Sequence, residues 1–375
     1  MDFDWTGEQR VGRERIAALL DAVECARLAA AEGAELASLR EARLRGQRRL
    51  AEGGAWRAGP EAREDARALE RVAADLELAR TSTSFFLSTL ATRHFAALLA
   101  DHGSAALRGE LLEPLRRGER VGAVALPASG GVVDGTPVAT PGTDGGWTLR
   151  GRRPYLTNGS LADGLAVFAE FDGRSLLALL RPDQPGLRLG ARLSLLGLDG
   201  LAACSLELDE VRVPAGQVAG PFDDPGPAAW CRRDRDLGLA VAGVGLMQRA
   251  FAAAKAHAGE HVRGGKPIVA RQEVSFKLAE MLTLAQTAEY LVCRAAWMVA
   301  TGRAEAETLV RCAKVFCTEN AERVASAALQ VFAGRGCVSG NEVERAWREA
   351  KTVALLGTTV EVARMAIADE LLARP

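Results

Sequence analysis

The sequence from residue 330 to residue 364 reads QVFAGRGCVSGNEVERAWREAKTVALLGTTVEVAR. Its first part, FAGRG, has the small residues typical of a helix C-terminus, because glycine accepts the left-handed conformation that ends many helices. The segments VERAWREAKTV and VEVARMAIADELLA, which lie on either side of Gly357, have the apolar spacing of helices. Gly357 and the two threonines after it introduce the last helix. The stretch therefore predicts a helical C-terminal region.

Composition divides the whole chain into three regions. Residues 1–118 are rich in Ala, Leu, Arg and Glu, and their apolar residues recur at the three- and four-residue spacing of amphipathic helices. Residues 119–222 are rich in β-branched residues interrupted by Gly, Pro, Asn and Asp, and residues 229–375 return to long helical segments. We therefore predict an α+β fold with an N-terminal helical domain, a middle antiparallel β domain and a C-terminal four-helix bundle.

The middle region contains several candidate strands. They span residues 121–128, 146–157, 164–171, 174–182 and 204–214, and the last of them alternates apolar and polar residues. Glycine and aspartate between them are typical of tight turns, so we expect a compact antiparallel sheet or barrel. The proline-rich segment PFDDPGP (221–227) that follows predicts a linker to the C-terminal helices.

Length and charge exclude several classes of protein. The chain has 375 residues, enough for two or three domains with large cores. Its 47 basic and 48 acidic side chains give a formal net charge of −1. A protein that binds nucleic acid or an anionic membrane through a broad surface needs an excess of basic residues. We therefore expect neither nucleic acid nor a membrane as partner.

The cysteines and the N-terminus indicate a reducing compartment. The seven cysteines are scattered and include no CxxC pair, which favours free thiols over a zinc site, and the four histidines lack the spacing of metal ligands. We expect no metal. The first residues, MDFDWTGEQR, are charged and polar where a secretory signal has an apolar run. The prediction is a soluble, cytoplasmic protein.

The segments above resemble those of acyl-CoA dehydrogenases. The last helices of that family read roughly QxxGGxGxxxxxPVERxxRDAKxxxxxEGTxEIxR. Positions of this chain that agree with the pattern are Gln330, Gly334, Gly336, Val343, Glu344, Arg345, Arg348, Ala350, Lys351, Thr359, Glu361 and Arg364. The segment GWTLRGRRPYLTNGSLAD (146–163) is similar to the family's GWxLxGxKxxITNxxxAD. The resemblance implies the same order of helices, sheet and helices, and a dimer or tetramer.

The family's chemistry depends on FAD, which lies between the β domain and the bundle. A carboxylate removes the α-proton of an acyl thioester while hydride leaves the β-carbon for the flavin. The resemblance implies that a set of residues of this chain contacts the cofactor. They are Val124, Ala125, Tyr155, Thr157, Arg263, Gln330, Gly334, Thr359 and Glu361. It also implies an acyl thioester of coenzyme A or of an acyl carrier protein as substrate, and an electron-transfer partner.

Six of these residues stand at positions whose contact with the cofactor has a defined role in the family. Tyr155 and Thr157 stand where an aromatic residue packs beside the flavin and a hydroxyl hydrogen-bonds it. Gln330 and Gly334 fall where an amide and backbone groups meet the pyrophosphate of the cofactor. Thr359 and Glu361 occupy the positions of the family's final cofactor contacts.

The chain departs from the family pattern at the catalytic position. Gly357 stands where the catalytic glutamate would be, and glycine has no side chain that accepts a proton. Some relatives carry the glutamate on the first bundle helix, where this chain has Arg235 between Asp234 and Asp236. We expect Asp234 to cap that helix and the run RRDRD to be solvated, which leaves Asp236 as a weak candidate for the base. Glu361 has its family role with the cofactor.

Four further departures concern the cofactor. In VALPASGGVVDG (124–135), Ala125 replaces a hydroxyl residue that bonds the flavin, and Leu126 replaces a glutamate. Loss of one hydrogen bond typically costs about 0.5–1.5 kcal/mol. In EHVRGGKP (260–267), His261 replaces an arginine that reaches a neighbouring subunit's FAD, and Gly264 replaces a phenylalanine. Arg263 is two residues from the lost charge, and on a helix its direction would differ by about half a turn.

Three functions fit these residues. The first is a dehydrogenase of acyl thioesters whose catalytic base has moved elsewhere. The second is a non-catalytic or half-site subunit of a heteromeric acyl-CoA dehydrogenase, whose paralogous partner keeps the base and the missing cofactor contacts. The third is a flavin-dependent monooxygenase built on the same fold, which needs no α-proton base. All three predict a flavoprotein with this fold, and the sequence leaves them open.

Overall fold

A computed structural model of the chain describes residues 5–21, 27–29, 33–56, 58, 67–127, 136–143, 145–223 and 226–372. Along the described residues, helices are followed by a sheet and then by helices again. The first helices end at Arg116, the strands of the main sheet lie between Gly122 and Phe222, and helices resume at Pro227. This order agrees with the predicted one. The domain bounds at 118, 119, 222 and 229 stay a prediction.

The N-terminal helices differ in how deeply they are buried. The helices are α1 (Gly7–Leu19), α2 (Leu36–Glu52), α3 (Ala68–Thr81), α4 (Thr83–His102) and α5 (Ala105–Arg116). Thr6 caps α1 by accepting a hydrogen bond from the backbone N–H of Gln9, in a capping box. Most residues of α4 are buried, so this helix runs through the protein rather than over its surface.

The strands of the main sheet are β1 (Gly122–Ala125), β2 (Val138–Pro141), β3 (Trp147–Leu156), β4 (Gly164–Phe171), β5 (Arg174–Leu180), β6 (Leu187–Leu189), β7 (Cys204–Val213) and β8 (Val218–Phe222). Their order is β6-β7-β3-β2-β4-β5-β8, with β1 paired to β4. The predicted antiparallel pairing holds for most neighbours, but β1 and β2 each run parallel to β4, which makes the sheet mixed. The predicted linker is shorter than expected, because Pro221 and Phe222 still belong to β8.

The C-terminal region consists of α6 (Pro227–Glu260), a short hairpin of β9 (Val262–Arg263) and β10 (Lys266–Pro267), and four more helices. These are α7 (Gln272–Ala300), α8 (Ala306–Phe332), α9 (Glu342–Leu355) and α10 (Val360–Leu372). Helix α6 begins at Pro227, where the missing N–H costs nothing. One apolar core joins α6–α9 to α1–α4.

Helix α6 is long and apolar enough to cross a membrane, but 72% of its most apolar window is buried within the protein. Its buried residues are mostly small, and they pack against α8 and α3. Such a composition suits the central helix of a packed bundle, where small side chains let neighbouring helices approach closely. We therefore interpret α6 as a core helix.

Candidate functional site

A cavity of about 360 Å³ lies where α4, the sheet and the C-terminal helices meet. Its wall is mostly apolar. The lining residues are Leu87, Leu90, Ala91, His94, Val124, Ala125, Leu126, Arg153, Pro154, Tyr155, Thr157, Leu201, Arg235, Leu239, Leu355, Leu356 and Gly357. A concave, largely apolar site with a few polar groups is the usual form of a cofactor or substrate pocket.

Four of the residues predicted to contact a flavin lie together on this wall. Val124 and Ala125 end strand β1, which pairs with β4 on one side. Tyr155 lies near the end of β3 with 69% of its surface exposed, so its ring is open to a ligand, and Thr157 follows that strand. Sequence positions about thirty residues apart are therefore brought to one surface by the sheet.

The other predicted cofactor residues lie outside this cavity. Gln330 is near the end of α8 and lines a separate surface groove, and Gly334 follows in a short 3-10 helix (Ala333–Cys337), where an added Cβ would meet no atom within 4 Å. Arg263 is on the exposed hairpin β9–β10. Thr359 precedes α10 and accepts a hydrogen bond from the N–H of Val362 at 3.4 Å. Within one chain, four of the predicted residues therefore line the cavity. The other five are exposed and are called the surface set: Arg263, Gln330, Gly334, Thr359 and Glu361.

The surface set includes Glu361 in the first turn of α10. Its pKa is lowered by hydrogen bonds from its own backbone N–H and from Thr359, so this side chain is a carboxylate near neutral pH. Glu361 does not line the cavity. Its implied role with the cofactor stays a prediction.

Residues 261–265 do not continue a helix. Gly264 and Gly265 form the turn of the hairpin with φ angles of +65° and +77°, a conformation that a phenylalanine would adopt only under strain. The expectation that Arg263 projects from a helix is therefore wrong. His261 stacks on His257, with 5.0 Å between ring centroids, and His257 stacks in turn on Phe332.

Gly357 borders the cavity in a conformation that favours glycine. Its φ angle is +70°, and an added Cβ would lie 2.8 Å from Nε of Arg235 and 2.7 Å from Cδ1 of Leu239. The guanidinium of Arg235 therefore occupies the space that a side chain at position 357 would need. Nη2 of Arg235 donates to Oδ1 of Asp236 at 3.0 Å and to Oγ1 of Thr358 at 3.0 Å. These two contacts fix the guanidinium beside Gly357.

The two aspartates that flank Arg235 are both buried. Asp236 has 6% of its surface exposed, and it accepts its hydrogen bonds from Arg235 rather than lining the cavity. Helix α6 begins seven residues before Asp234, so the predictions that Asp234 caps the helix and that RRDRD is solvated are wrong. The reason is the packing of the helices, which the local sequence does not show. Asp234 faces α3 and α4, and Arg71 and His94 on these helices contact its carboxylate.

Two basic side chains contact the carboxylate of Asp234. Nη2 of Arg71 lies 2.5 Å from Oδ1 of Asp234, and Nε2 of His94 lies 2.9 Å from Oδ2. Burial opposes ionisation of Asp234, but the charge of Arg71 and the hydrogen bond from His94 outweigh that effect and hold its pKa well below the usual range. The ring of His94 also packs edge-on against Trp230, with 5.1 Å between centroids. Helices α3, α4 and α6 thus fix the imidazole of His94 at the cavity wall.

The mostly apolar wall of the cavity also carries basic side chains. His94, Arg153 and Arg235 line it, and no aspartate or glutamate is among the described lining residues. Burial and repulsion by Arg235 lower the pKa of Arg153. Neither His94 nor Arg153 was expected at the site. His94 could have been found only by knowing that α4 and α6 pack together.

The described residues contain no group of three or more His, Cys, Asp or Glu side chains placed to hold a metal ion. The cysteines in the described part of the chain are free thiols: Cys204, Cys231, Cys293, Cys312, Cys317 and Cys337. Burial raises the pKa of Cys293 to about 12, so that thiol is protonated near neutral pH. Cys25 lies outside the described residues.

Comparison with known proteins gives consistent results. Residues 236–372 match the family model for the acyl-CoA dehydrogenase C-terminal domain. Benzylmalonyl-CoA dehydrogenase of Aromatoleum aromaticum is 30% identical over 305 residues, which cover 79% of this chain and 80% of that protein. Mitochondrial isovaleryl-CoA dehydrogenase of Oryza sativa subsp. japonica is 31% identical over 306 residues, 79% of this chain and 74% of that protein.

The fold agrees with these sequence matches. The structure of butyryl-CoA dehydrogenase from Megasphaera elsdenii superposes with a TM-score of 0.83 at 25% identity, and it covers 99% of this chain and 100% of that one. Helices, mixed sheet and helical bundle therefore occur here in the same arrangement. This chain belongs to the acyl-CoA dehydrogenase family.

Proposed function

We propose that this protein oxidises an acyl thioester at FAD, with His94 as the proton acceptor in place of the family's glutamate. FAD is the cofactor of the family, and when bound it accepts the hydride that leaves the β-carbon. The cavity fits a flavin ring on three counts: it has an open aromatic face at Tyr155, a hydroxyl at Thr157 and an apolar wall at Val124 and Ala125. These four residues would hold the ring, and the buried Ala125 side chain offers it no hydrogen bond.

The observation that carries the proposal is the contact between His94 and Asp234. Asp234 is ionised, so the nitrogen that faces it, Nε2, is the one that carries a proton in the neutral ring. The other nitrogen, Nδ1, is then a proton acceptor. Among the described residues that line the cavity, His94 is the one side chain suited to this task, because an arginine stays protonated and a tyrosine is a weak acid.

A positioned base typically accelerates proton removal by about 10²–10⁴-fold. His94 meets the requirements for one: it is buried, its ring is oriented by a carboxylate, and it lies on the wall that also includes Gly357. Asp234 acts through His94 as a positioning residue, and it stabilises the imidazolium that forms when His94 takes the proton. Arg71 in turn holds Asp234 in its ionised state.

The test separates proton removal from hydride transfer. Flavin-loaded protein is incubated with butyryl-CoA in D2O without air, and the exchange of α-hydrogens is followed by mass spectrometry. We expect His94→Gln to lower the exchange rate by about 10²–10⁴-fold. The matched control is His102→Gln, because His102 lies on the same helix and does not line the cavity.

Retained exchange in a folded, flavin-loaded His94→Gln protein would show that another group removes the proton. Two outcomes would favour the other functions that the sequence leaves open. A protein that binds flavin and shows exchange only with a co-expressed paralogue would be a half-site subunit. Flavin reoxidation by oxygen coupled to hydroxylation of a substrate would indicate a monooxygenase.

The proposed partners follow from the same chemistry. Reduced flavin needs an electron acceptor, so we expect an electron-transfer protein, and the acyl group is carried by coenzyme A or by a carrier protein. A dimer or tetramer is expected, which would bring Gln330, Gly334 and Arg263 of one subunit towards another. A cytoplasmic location stays a prediction.

A further inference from the structure

One face of helix α7 carries aromatic side chains that the folded chain leaves exposed. Phe276, Tyr290 and Trp297 have 64%, 52% and 38% of their surface exposed. Together with Thr283 they occupy every seventh position of the helix, so they form one stripe along it. The stripe lies on the side opposite the residues that pack against α3, α6 and α8. An exposed aromatic stripe of this length marks a surface that contacts a partner.

The polar residues of this face do not oppose its burial. Thr283 donates its hydroxyl to the carbonyl of Ala279 at 2.8 Å, and Thr287 donates to the carbonyl of Thr283 at 2.8 Å. Because both hydroxyls are satisfied within α7, a partner that covers them leaves no donor unpaired. The face is therefore suited to packing against another protein surface.

The stripe is symmetric about its midpoint. Phe276 and Trp297 lie equally far from that point, and so do Thr283 and Tyr290. A second copy of α7 that runs antiparallel across a two-fold axis at the midpoint places Phe276 of one copy opposite Trp297 of the other. In a two-fold interface each such contact occurs twice. A seven-residue repeat also keeps the stripe on the line of contact, through a left-handed twist of the two helices.

The charges beside the stripe fit the same arrangement. Glu280 and Arg294 each follow an aromatic stripe residue by four positions, so they lie on the same side of it, and each is seven residues from Thr287. The antiparallel pair therefore brings Arg294 of one copy opposite Glu280 of the other. Arg294 is exposed and has no hydrogen bond or ion pair with another described residue of its own chain. Glu280 is exposed and pairs with Arg323 of α8.

We propose that α7 pairs with α7 of a second copy of this chain, antiparallel and across a two-fold axis near Thr287. The occupant is a second copy because the stripe and its flanking charges are complementary to themselves, which binding to an unrelated protein would not require. The inference goes beyond the proposed function. It names the contact surface of the expected dimer or tetramer, and it does not depend on which residue removes the proton.

The first experiment removes one aromatic anchor. The mass of the full-length protein is followed by sedimentation velocity over a dilution series, with FAD in excess. We expect Phe276→Arg to raise the dissociation constant of the assembly by about 30-fold or more, as loss of a central aromatic contact typically does. The matched control is Val11→Arg on α1, because Val11 is apolar and 61% exposed but lies away from α7. This control should assemble as the wild-type protein does.

The second experiment exchanges the charges. Arg294→Glu places a carboxylate opposite Glu280 of the other copy, and we expect the dissociation constant to rise by about 10-fold or more. The double variant Glu280→Arg/Arg294→Glu restores opposite charges across the axis. It should return the dissociation constant to within about fivefold of the wild-type value, since the exposed pair of Glu280 with Arg323 contributes little.

A wild-type protein that is monomeric would overturn the inference. Assembly that is unchanged in Phe276→Arg would do the same, because the copies would then meet through another surface and the stripe would serve a different partner. If Arg294→Glu weakens the assembly and the double variant does not restore it, the antiparallel arrangement is refuted. Circular dichroism of each variant shows whether it keeps the helical content of the wild-type protein.

Discussion

Gly357 should be intolerant of any side chain, and the structure separates the cost into two parts. The first is the φ angle of +70°, which disfavours a residue with a Cβ by about 1–2 kcal/mol. The second is crowding, since the new Cβ would lie 2.7 Å from Leu239 Cδ1 and 2.8 Å from Arg235 Nε. Crowding of this kind costs about 1–3 kcal/mol. Gly357→Ala should therefore lower the free energy of unfolding by about 2–5 kcal/mol.

A second glycine provides a matched control for the backbone part. Gly173, in the turn between β4 and β5, has a φ angle of +72°, and an added Cβ there would meet no atom within 4 Å. Gly173→Ala should show the conformational cost alone. The difference between the two variants, measured by urea denaturation at equal FAD concentration, then gives the crowding at Gly357.

The contribution of Arg235 to that crowding is testable by a double-mutant cycle. In an Arg235→Ala background, part of the crowding at position 357 disappears, so Gly357→Ala should cost less there by about 0.5–3 kcal/mol. The reasoning is refuted if Gly357→Ala is no more destabilising than Gly173→Ala. It is also refuted if the two changes at positions 357 and 235 are additive within about 0.5 kcal/mol.

Two further predictions concern buried polar groups. Asn158 has φ +66° and donates to the carbonyls of Ser88 and Gly122 at 2.9 Å each, so Asn158→Ala should lower the unfolding free energy by about 1–3 kcal/mol, measured by urea denaturation. A loss below about 0.5 kcal/mol would contradict this role. The pKa of Asp234 is lowered in the folded protein, so its stabilisation is present above the unfolded value of about 3.9 and is lost progressively as pH falls from there through the lower folded pKa. Asp234→Asn should remove this loss of stability at acid pH. If the free energy of unfolding falls with pH equally in the wild-type protein and in the variant, Asp234 does not cause the loss.

Much of the fold was predictable because its determinants are local. Strand β4 occupies the predicted residues 164–171, and β3 and β7 lie within their predicted ranges, since alternating apolar residues bounded by turn residues specify strands directly. The parallel pairing of β1 with β4 was not predictable in this way. It depends on which strands become neighbours after the chain has crossed the sheet, and no local pattern records that choice.

The candidate site was predictable only where sequence neighbours stay neighbours in space. Tyr155 and Thr157 were assigned from one segment, and both lie on the cavity wall. His94 and Asp234 are 140 positions apart, on two helices that meet only in the folded protein. A histidine inside a buried helix gives no sign by itself of a partner. Asp234 was misassigned for the same reason, because a run of charged residues is usually solvated and here it is covered by α3 and α4.

The family resemblance implies a catalytic glutamate at position 357 or on the first bundle helix at position 235, and these two positions are neighbours in the structure. Position 357 and the side chain of Arg235 share the same space, so a glutamate at 357 would lie against a guanidinium. Such a pair would lower the pKa of the carboxylate by about 1–3 units and weaken it as a base. Under the proposed function, the proton acceptor therefore lies on another wall of the cavity. His94 on α4 meets that condition, because the charge of Asp234 fixes its ring from the side of α6.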